Sequence, residues 1–387
     1  MSISAWLLPA HMADILPAEA RRTEELRRKI LDLFRTSGFE LVSPPLLEFT
    51  ESLLATQSRE LALRTTKVID QLSGRTMGVR ADMTPQVTRI DAHLLNRQGV
   101  TRLCYCGPVF QARPSNALGD RELLQIGAEI YGYPGPEADL LIIDLVLQTL
   151  AICGVQAPRI DLNHSGITRA LIQQDPQLNA HAATIFTLLQ EKNTPSLREL
   201  CERLQTVPEA LQQALLALPS LYGDQSVLDK AQHILPDLPA IQQSLAQLRS
   251  VMQRFPNASV DLADVSGYDY HTGIRFAVYA SAWHNAIVRG GRFDHVSKAF
   301  GRARPATGFS LDLRQLVQGL APAPIVQAIK APWQSQDASL RQAIAQLRAQ
   351  GHIVVEMLPD AQQDQDEFKF TQELVQVDAQ WQLQDIA

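Results

Sequence analysis

The chain has 387 residues, 45% of them hydrophobic, and a formal net charge of −6 at pH 7. That length holds two or three domains, and the acidic balance argues against a broad nucleic-acid surface, which needs clustered Lys and Arg to displace counterions. Its four cysteines, Cys104, Cys106, Cys153 and Cys201, form no CxxC pair and no Cys/His zinc spacing, so neither a disulfide framework nor a metal centre is expected and a reducing compartment fits. The N-terminus lacks a basic stretch followed by a long apolar run, and no run of about 18 apolar residues occurs, so a cytoplasmic chain without a membrane span is expected.

In chain order, Pro17–Ser37 reads as an amphipathic helix, with Leu26, Ile30, Leu33 and Phe34 at helical spacing. Gly38 is placed to end it. A strand at Phe39–Ser43 must stop at Pro44-Pro45, because proline cannot donate to a ladder. Leu63–Val79 alternates and turns at Ser73-Gly74 like a hairpin. Thr84–Leu95 is helical. Thr101–Phe110 and Glu122–Tyr131 read as two strands around a polar turn, Pro114–Asp120. Cys104 and Cys106 alternate in the first strand and share one face, which favours a core role. Asp139–Cys153 is an apolar helix and Arg159–Asn163 a strand.

From Gly166 to about Phe255, Leu, Ala and Gln dominate and glycine nearly vanishes, as in an all-helical insertion. Strand patterns return at Ser259–Asp264, Ile274–Tyr279 and Ala286–Arg289, and a helix covers Leu311–Leu320. Ala321–Pro324 is linker-like. Beyond it, a strand at Ile325–Ile329, a helix at Ser339–Gln350 ending at Gly351, and a strand at His352–Met357 make one βαβ crossover. The Gln- and Asp-rich tail carries no clear pattern.

Two segments carry more chemistry: Gly107–Gly132, GPVFQARPSNALGDRELLQIGAEIYG, and Gly290–Val317, GGRFDHVSKAFGRARPATGFSLDLRQLV. With the helix, strand and Pro-Pro before them, their order resembles the three signature motifs of class II aminoacyl-tRNA synthetases. Val79–Thr84, VRADMT, resembles the substrate-binding loop of histidyl-tRNA synthetases, and Gly267–Gly273, GYDYHTG, their histidine-recognition segment. The resemblance covers roughly residues 1–320. It implies an α+β fold: an antiparallel sheet flanked by helices, a helical insertion at about 166–256, and a small C-terminal α/β domain at 325–387. It also implies a dimer interface around the first motif, near Pro45.

The chain departs from that family where the chemistry happens. The motif 2 arginine that holds the α-phosphate of ATP is matched by Gln111, and the motif 3 arginine by Gln315. Arg113, two residues on, would substitute only if the strand register shifted. Arg314 is adjacent to Gln315, but one helical residue is about a 100° rotation. A further family arginine, before the recognition segment, is matched by Ser266. Each loss removes a charge-assisted contact of about 1.5–3 kcal/mol, so adenylation of histidine should fail and no residue is assigned a catalytic role.

What remains resembles ligand recognition. Gln125 and Glu129 share a strand face at positions that in the family contact histidine. Asp82 stands for the family's glutamate, Thr84 is kept, and His271 stands where a tyrosine is usual. With Gln111 and Tyr270 these residues make a histidine-like pocket, because an ammonium needs acceptors and an imidazole a donor–acceptor pair. Tyr268 and Tyr270 alternate, so one of them faces the pocket. Blander readings compete: Arg80, Asp269 and Arg292 as structural ion pairs, and Gly290-Gly291 as close strand packing; His11, His284 and His295 have no metal-like partner spacing.

The histidyl-tRNA synthetase relatives that lack these arginines are the ATP phosphoribosyltransferase regulatory subunits. That resemblance implies a non-catalytic subunit without a cofactor, paired with a short-form ATP phosphoribosyltransferase catalytic subunit for the first step of histidine biosynthesis. Feedback by L-histidine, allosteric regulation, a self-dimer within a hetero-oligomer, and no tRNA or membrane partner go with it. About sixty residues follow Pro324, fewer than the synthetases' anticodon-binding domain needs, and the stretch DAQQDQDEF is a poor RNA surface. The alternatives are an active histidyl-tRNA synthetase, which would exchange pyrophosphate and bind tRNA, and an amino-acid-sensing module of another pathway.

Overall fold

The structure is a computed structural model that describes residues 6–56, 58–114, 119–204, 206–265, 267, 270–334, 336–360 and 368–386. It divides into two compact units, one of Met1–Asp14 and Thr23–Leu320, the other of Ile15–Arg22 and Ala321–Ala387. In the first unit the strands are β1 Glu40–Leu41, β2 Leu47–Phe49, β3 Thr66–Ile69, β4 Thr76–Val79, β5 Thr101–Phe110 and β6 Glu122–Tyr131. They continue with β7 Arg159–His164, β8 Tyr222–Gly223, β9 Ser259–Asp261, β10 Ile274–Tyr279, β11 Val288–Arg292 and β12 Ala306–Asp312.

Nine of them form one sheet in the order β1-β5-β6-β12-β11-β10-β7-β9-β8, while β2-β4-β3 form a small sheet of their own. The large sheet is antiparallel except for β1 against β5 and β7 against β9. β5 and β6 pair from Thr101↔Tyr131 to Phe110↔Glu122, over the ranges their alternation predicts.

Alternation sorts each central strand into two faces. Cys104, Ile126, Ala128, Phe276, Val278, Phe309 and Leu311 point to one side and join the main core. The helices Pro17–Thr36 and Glu137–Ile152 pack there through Ile30, Phe34, Ile142, Ile143 and Val146. Phe34 meets the Phe309 ring edge-on at 5.8 Å. The first helix ends where Gly38 adopts φ +83 and Phe39 N–H reaches back to the Phe34 carbonyl, a left-handed cap that glycine takes without strain. All four cysteines are free. Burial pushes the Cys104 thiol up to about 12 and the Cys106 thiol up to about 11, so both are inert core groups.

Several local expectations shift. Leu63 and Arg64 belong to a helix, Arg59–Arg64, rather than to the hairpin. The insertion is helical apart from the two-residue β8, which joins the sheet through β9. The last strand of the Ala286–Arg289 pattern runs later, to Arg292. The helix expected over Leu311–Leu320 is Leu313–Gln318, because β12 extends to Asp312 and its carboxylate caps the helix. Gly290 and Gly291 are packing glycines: a Cβ on Gly290 would lie 2.3 Å from the Phe276 ring.

In the second unit, β13 Val326–Pro332, a helix at Ala338–Ala349 and β14 Val354–Met357 form the parallel βαβ crossover. Two more strands, β15 Phe368–Val377 and β16 Gln380–Asp385, complete a four-stranded sheet, order β14-β13-β15-β16. Its core is Ile329, Ala331, Leu340, Ile344, Val354 and Leu374. Most of the stretch DAQQDQDEF lies outside the described residues. Among the described residues no helix is long and apolar enough to cross a membrane, and no group of three or more His, Cys, Asp or Glu side chains is arranged to hold a metal.

Candidate functional site

The second sheet face carries polar chemistry. On β6, Gln125, Gly127 and Glu129 point the same way. Glu129 lies opposite Gly308 and Leu103, Gly127 opposite Ser310 and Tyr105, and Gln125 opposite Asp312 and Gly107. One strand further, Gly291 pairs with Gly308 and Arg289 with Ser310. This face floors an open cavity of about 460 Å³, walled by the 81–85 loop, the helix Arg59–Arg64, and Gly267, Tyr270 and His271. All seven residues singled out from the sequence, Asp82, Thr84, Gln111, Gln125, Glu129, Tyr270 and His271, line it, and so does Gln315.

Gln125 organises the loop. Its Oε1 accepts from Met83 N–H at 2.8 Å, and its Nε2 donates to Asp82 Oδ1 at 2.8 Å. Thr84 N–H donates to the same Oδ1 at 3.1 Å. Both bonds fall on Oδ1, so Asp82 Oδ2 has no partner among the described residues and can accept from a ligand.

Glu129 is 1% exposed. Tyr105 Oη donates to its Oε1 at 3.2 Å, and Tyr131 Oη donates to its Oε2. Thr84 Oγ1 lies 3.1 Å from Tyr105 Oη, and Thr88 Oγ1 3.1 Å from Tyr131 Oη. Burial pushes the Glu129 carboxyl up to about 8, with the Asp82 charge adding to the rise against the hydrogen bonds from Tyr131, Thr84 and Tyr105. At neutral pH the group therefore holds its proton and can donate as well as accept.

Opposite stand Tyr270 and His271. The Tyr270 ring stacks on Phe293 at 5.1 Å and meets the His271 ring edge-on at 5.1 Å. Burial, and then the nearby Arg275 charge, push the His271 imidazole down to about 3, so it is neutral. Tyr270 Oη and His271 Nδ1 are buried polar atoms without a hydrogen-bond partner among the described residues, a costly state that a polar ligand would relieve. Tyr268, its alternating neighbour, lies outside the described residues, as do Asp269 and Ser266.

The guanidinium groups expected of a nucleotide clamp are elsewhere. Gln111 is 2% exposed, and its Oε1 has no hydrogen-bond partner among the described residues. Strand β5 ends at Phe110, and Arg113 is exposed beyond it, so the register shift that would bring Arg113 in does not occur. Arg314 turns to Glu122, at 3.3 Å from its carbonyl and 3.4 Å from its carboxylate. Arg292 pairs with the buried Asp139 at 2.8 Å. Among the described residues Arg80 makes no ion pair: it donates to the carbonyl oxygens of Pro44 at 2.7 Å and Pro108 at 2.8 Å. Among the described lining residues the arginines are Arg64, tied to Glu60 at 3.2 Å, and Arg289. Sequence reasoning missed Arg289, Ser310 and the tyrosines that hold Glu129. The signal was present for Arg289, the one charged residue of the otherwise apolar pattern Ala286–Arg289.

Residues 11–316 match the family described as Histidyl-tRNA synthetase, and residues 326–384 match the ATP phosphoribosyltransferase subunit HisZ C-terminal domain. The ATP phosphoribosyltransferase regulatory subunit of Bordetella petrii is 58% identical over 380 residues, 98% of each chain. That of Cupriavidus necator is 53% identical over 379 residues, 97% of this chain and 98% of its own. Among solved structures, an ATP phosphoribosyltransferase regulatory subunit/histidyl-tRNA synthetase from Bacillus halodurans superposes with a TM-score of 0.83 at 24% identity, covering 96% of this chain and 98% of that one. Histidyl-tRNA synthetase from Nostoc sp. PCC 7120 does so with a TM-score of 0.74 at 19% identity, covering 93% and 88%. At such identities these two speak for the fold, a histidyl-tRNA synthetase-like class II architecture.

Proposed function

The chain belongs to the ATP phosphoribosyltransferase regulatory subunit family, and from that premise we propose that its cavity is an amino-acid sensing site. It is a non-catalytic regulatory subunit of ATP phosphoribosyltransferase, serves histidine biosynthesis, and partners that enzyme's catalytic subunit. The observation that carries the sensing reading is the cavity's composition: Asp82, Gln125 and Glu129 form an ordered polar network, while Gln111 and Gln315 offer a phosphate only neutral amides.

In this reading the ligand is L-histidine. Asp82 Oδ2 and Thr84 take its ammonium, and Glu129 and His271 its imidazole. Gln111 and Tyr270 border the same space. Histidine bound there favours one arrangement of the assembly through its differential affinity for the two states, and so damps catalysis in the partner. The partner is a short-form phosphoribosyltransferase, and the assembly is cytoplasmic. Residues 1–320 and 325–387 act as two domains. The chain also pairs with a second copy near Pro45, a reading supported by the exposed Leu41, Leu46 and Leu47 around that proline. No tRNA takes part.

The test is direct. Purified chain is mixed with a short-form phosphoribosyltransferase, and the rate is followed with and without histidine. Activation on mixing, inhibition by histidine, and no histidine-dependent ATP–pyrophosphate exchange are expected. If histidine inhibits the partner equally in the absence of this chain, the sensor is not here.

A further inference from the structure

We propose that Arg289 holds the carboxylate of the amino-acid ligand, an inference that rests on the sensing reading above. Arg289 lies on β11, lines the cavity, and is exposed to it. Among the described residues it has no hydrogen bond or ion pair, whereas the neighbouring arginines are committed. Arg64 is bound to Glu60, Arg275 to the Asp264 carbonyl at 2.7 Å, Arg292 to Asp139, and Arg314 to Glu122.

The floor between Arg289 and the acidic end is built of small residues. Arg289 faces Ser310 across one strand pair, and Ser310 faces Gly127 across the next. One row along, Gly291 faces Gly308 and Gly308 faces Glu129. A Cβ on Gly308 would come within 2.6 Å of Glu129 Cγ. Two interstrand spacings, about 10 Å, thus separate the guanidinium's strand from that of Gln125 and Glu129, with only a serine and glycines between. One end of the cavity offers acceptors and the other an uncommitted planar fork, which matches a carboxylate with two parallel hydrogen bonds. The arrangement is complementary to a zwitterion whose cationic and imidazole groups sit over Asp82 and Glu129. A phosphate dianion would meet one free guanidinium beside Asp82 and Asp312 in the same cavity, so a carboxylate is the better occupant.

The experiment is calorimetric titration of the full chain with L-histidine, with histidinol, whose hydroxymethyl group replaces the carboxylate, and with inorganic phosphate. The wild type should bind histidine about 10-fold or more tighter than histidinol, and phosphate should not compete. Arg289→Gln should remove that preference and leave histidinol affinity within about 2-fold, and Arg289→Lys should keep part of it. Thermal melts of both variants establish folding independently of binding. A preference unchanged in Arg289→Gln, or phosphate displacing histidine, overturns the assignment of Arg289 while histidine binding itself upholds the pocket. Wild-type protein that binds neither histidine nor histidinol overturns the sensing reading and this inference together.

Discussion

Gln125 Nε2 donates to Asp82 Oδ1 at 2.8 Å, across 43 residues of chain. The same amide accepts from Met83 N–H, so one side chain on a rigid strand fixes both the loop and its carboxylate. Asp82 is thereby aimed before any ligand arrives, which lowers the ordering cost of binding.

Glu129→Gln keeps the shape of the side chain and removes the exchangeable acid proton. If histidine binds through this group, its midpoint for inhibiting the assembled enzyme should rise by about 5-fold, the size of one neutral hydrogen bond. Inhibition curves on the reconstituted complex read this out. Equal loss of activation and inhibition would place the sensor elsewhere.

The same residue sets a pH dependence of stability. In the unfolded chain its carboxyl ionises near 4.5, and in the folded protein near 8. Between those values the folded state keeps a proton that the unfolded state has lost, so this group's contribution falls as pH rises from about 4.5 to about 8 and then levels off. Relative to wild type, Glu129→Gln should gain stability across that window. Denaturant midpoints at several pH values check the slope, and a constant difference would mean the folded carboxyl is already ionised.

Nucleotide chemistry should be absent and hard to restore. Wild-type protein is expected to show no histidine-dependent pyrophosphate exchange. Gln111→Arg with Gln315→Arg returns two guanidinium groups to the cavity and should tighten ATP binding by about 10-fold or more. Radiolabelled exchange and ATP titration separate the two effects. Exchange at an enzymatic rate by the unmodified chain would contradict the role assigned to the amides.

Arg80 joins the Pro44–Pro45 turn to β5 through carbonyl oxygens, at 2.7 Å to Pro44 and 2.8 Å to Pro108, and is 4% exposed. Arg80→Met leaves those carbonyls without a donor and should cost about 2–4 kcal/mol. Chemical denaturation measures it. A loss below about 0.5 kcal/mol, the scale of an ordinary surface change, would show that water replaces the guanidinium.

The sequence alone determined the central strands and the altered reaction centre. Thr101–Phe110 and Glu122–Tyr131 were legible because a half-buried strand alternates, and Gln125 and Glu129 were assigned to one face by the same period. The cavity's outer members follow from residue identity at ordered motif positions. β12 was not assigned, because its Gly308 and Thr307 dilute the apolar run, and β15 and β16 were missed because Gln-rich strands in a small sheet carry little periodic signal. Only the tertiary structure decided that Arg113 stays outside the cavity, that Arg80 bonds carbonyls instead of a carboxylate, and that Arg289 reaches the floor beside Ser310. It also decided the protonation of Glu129 and His271. Strand period is a property of neighbouring residues, but burial, cross-strand register and ionisation depend on groups brought together from distant parts of the chain.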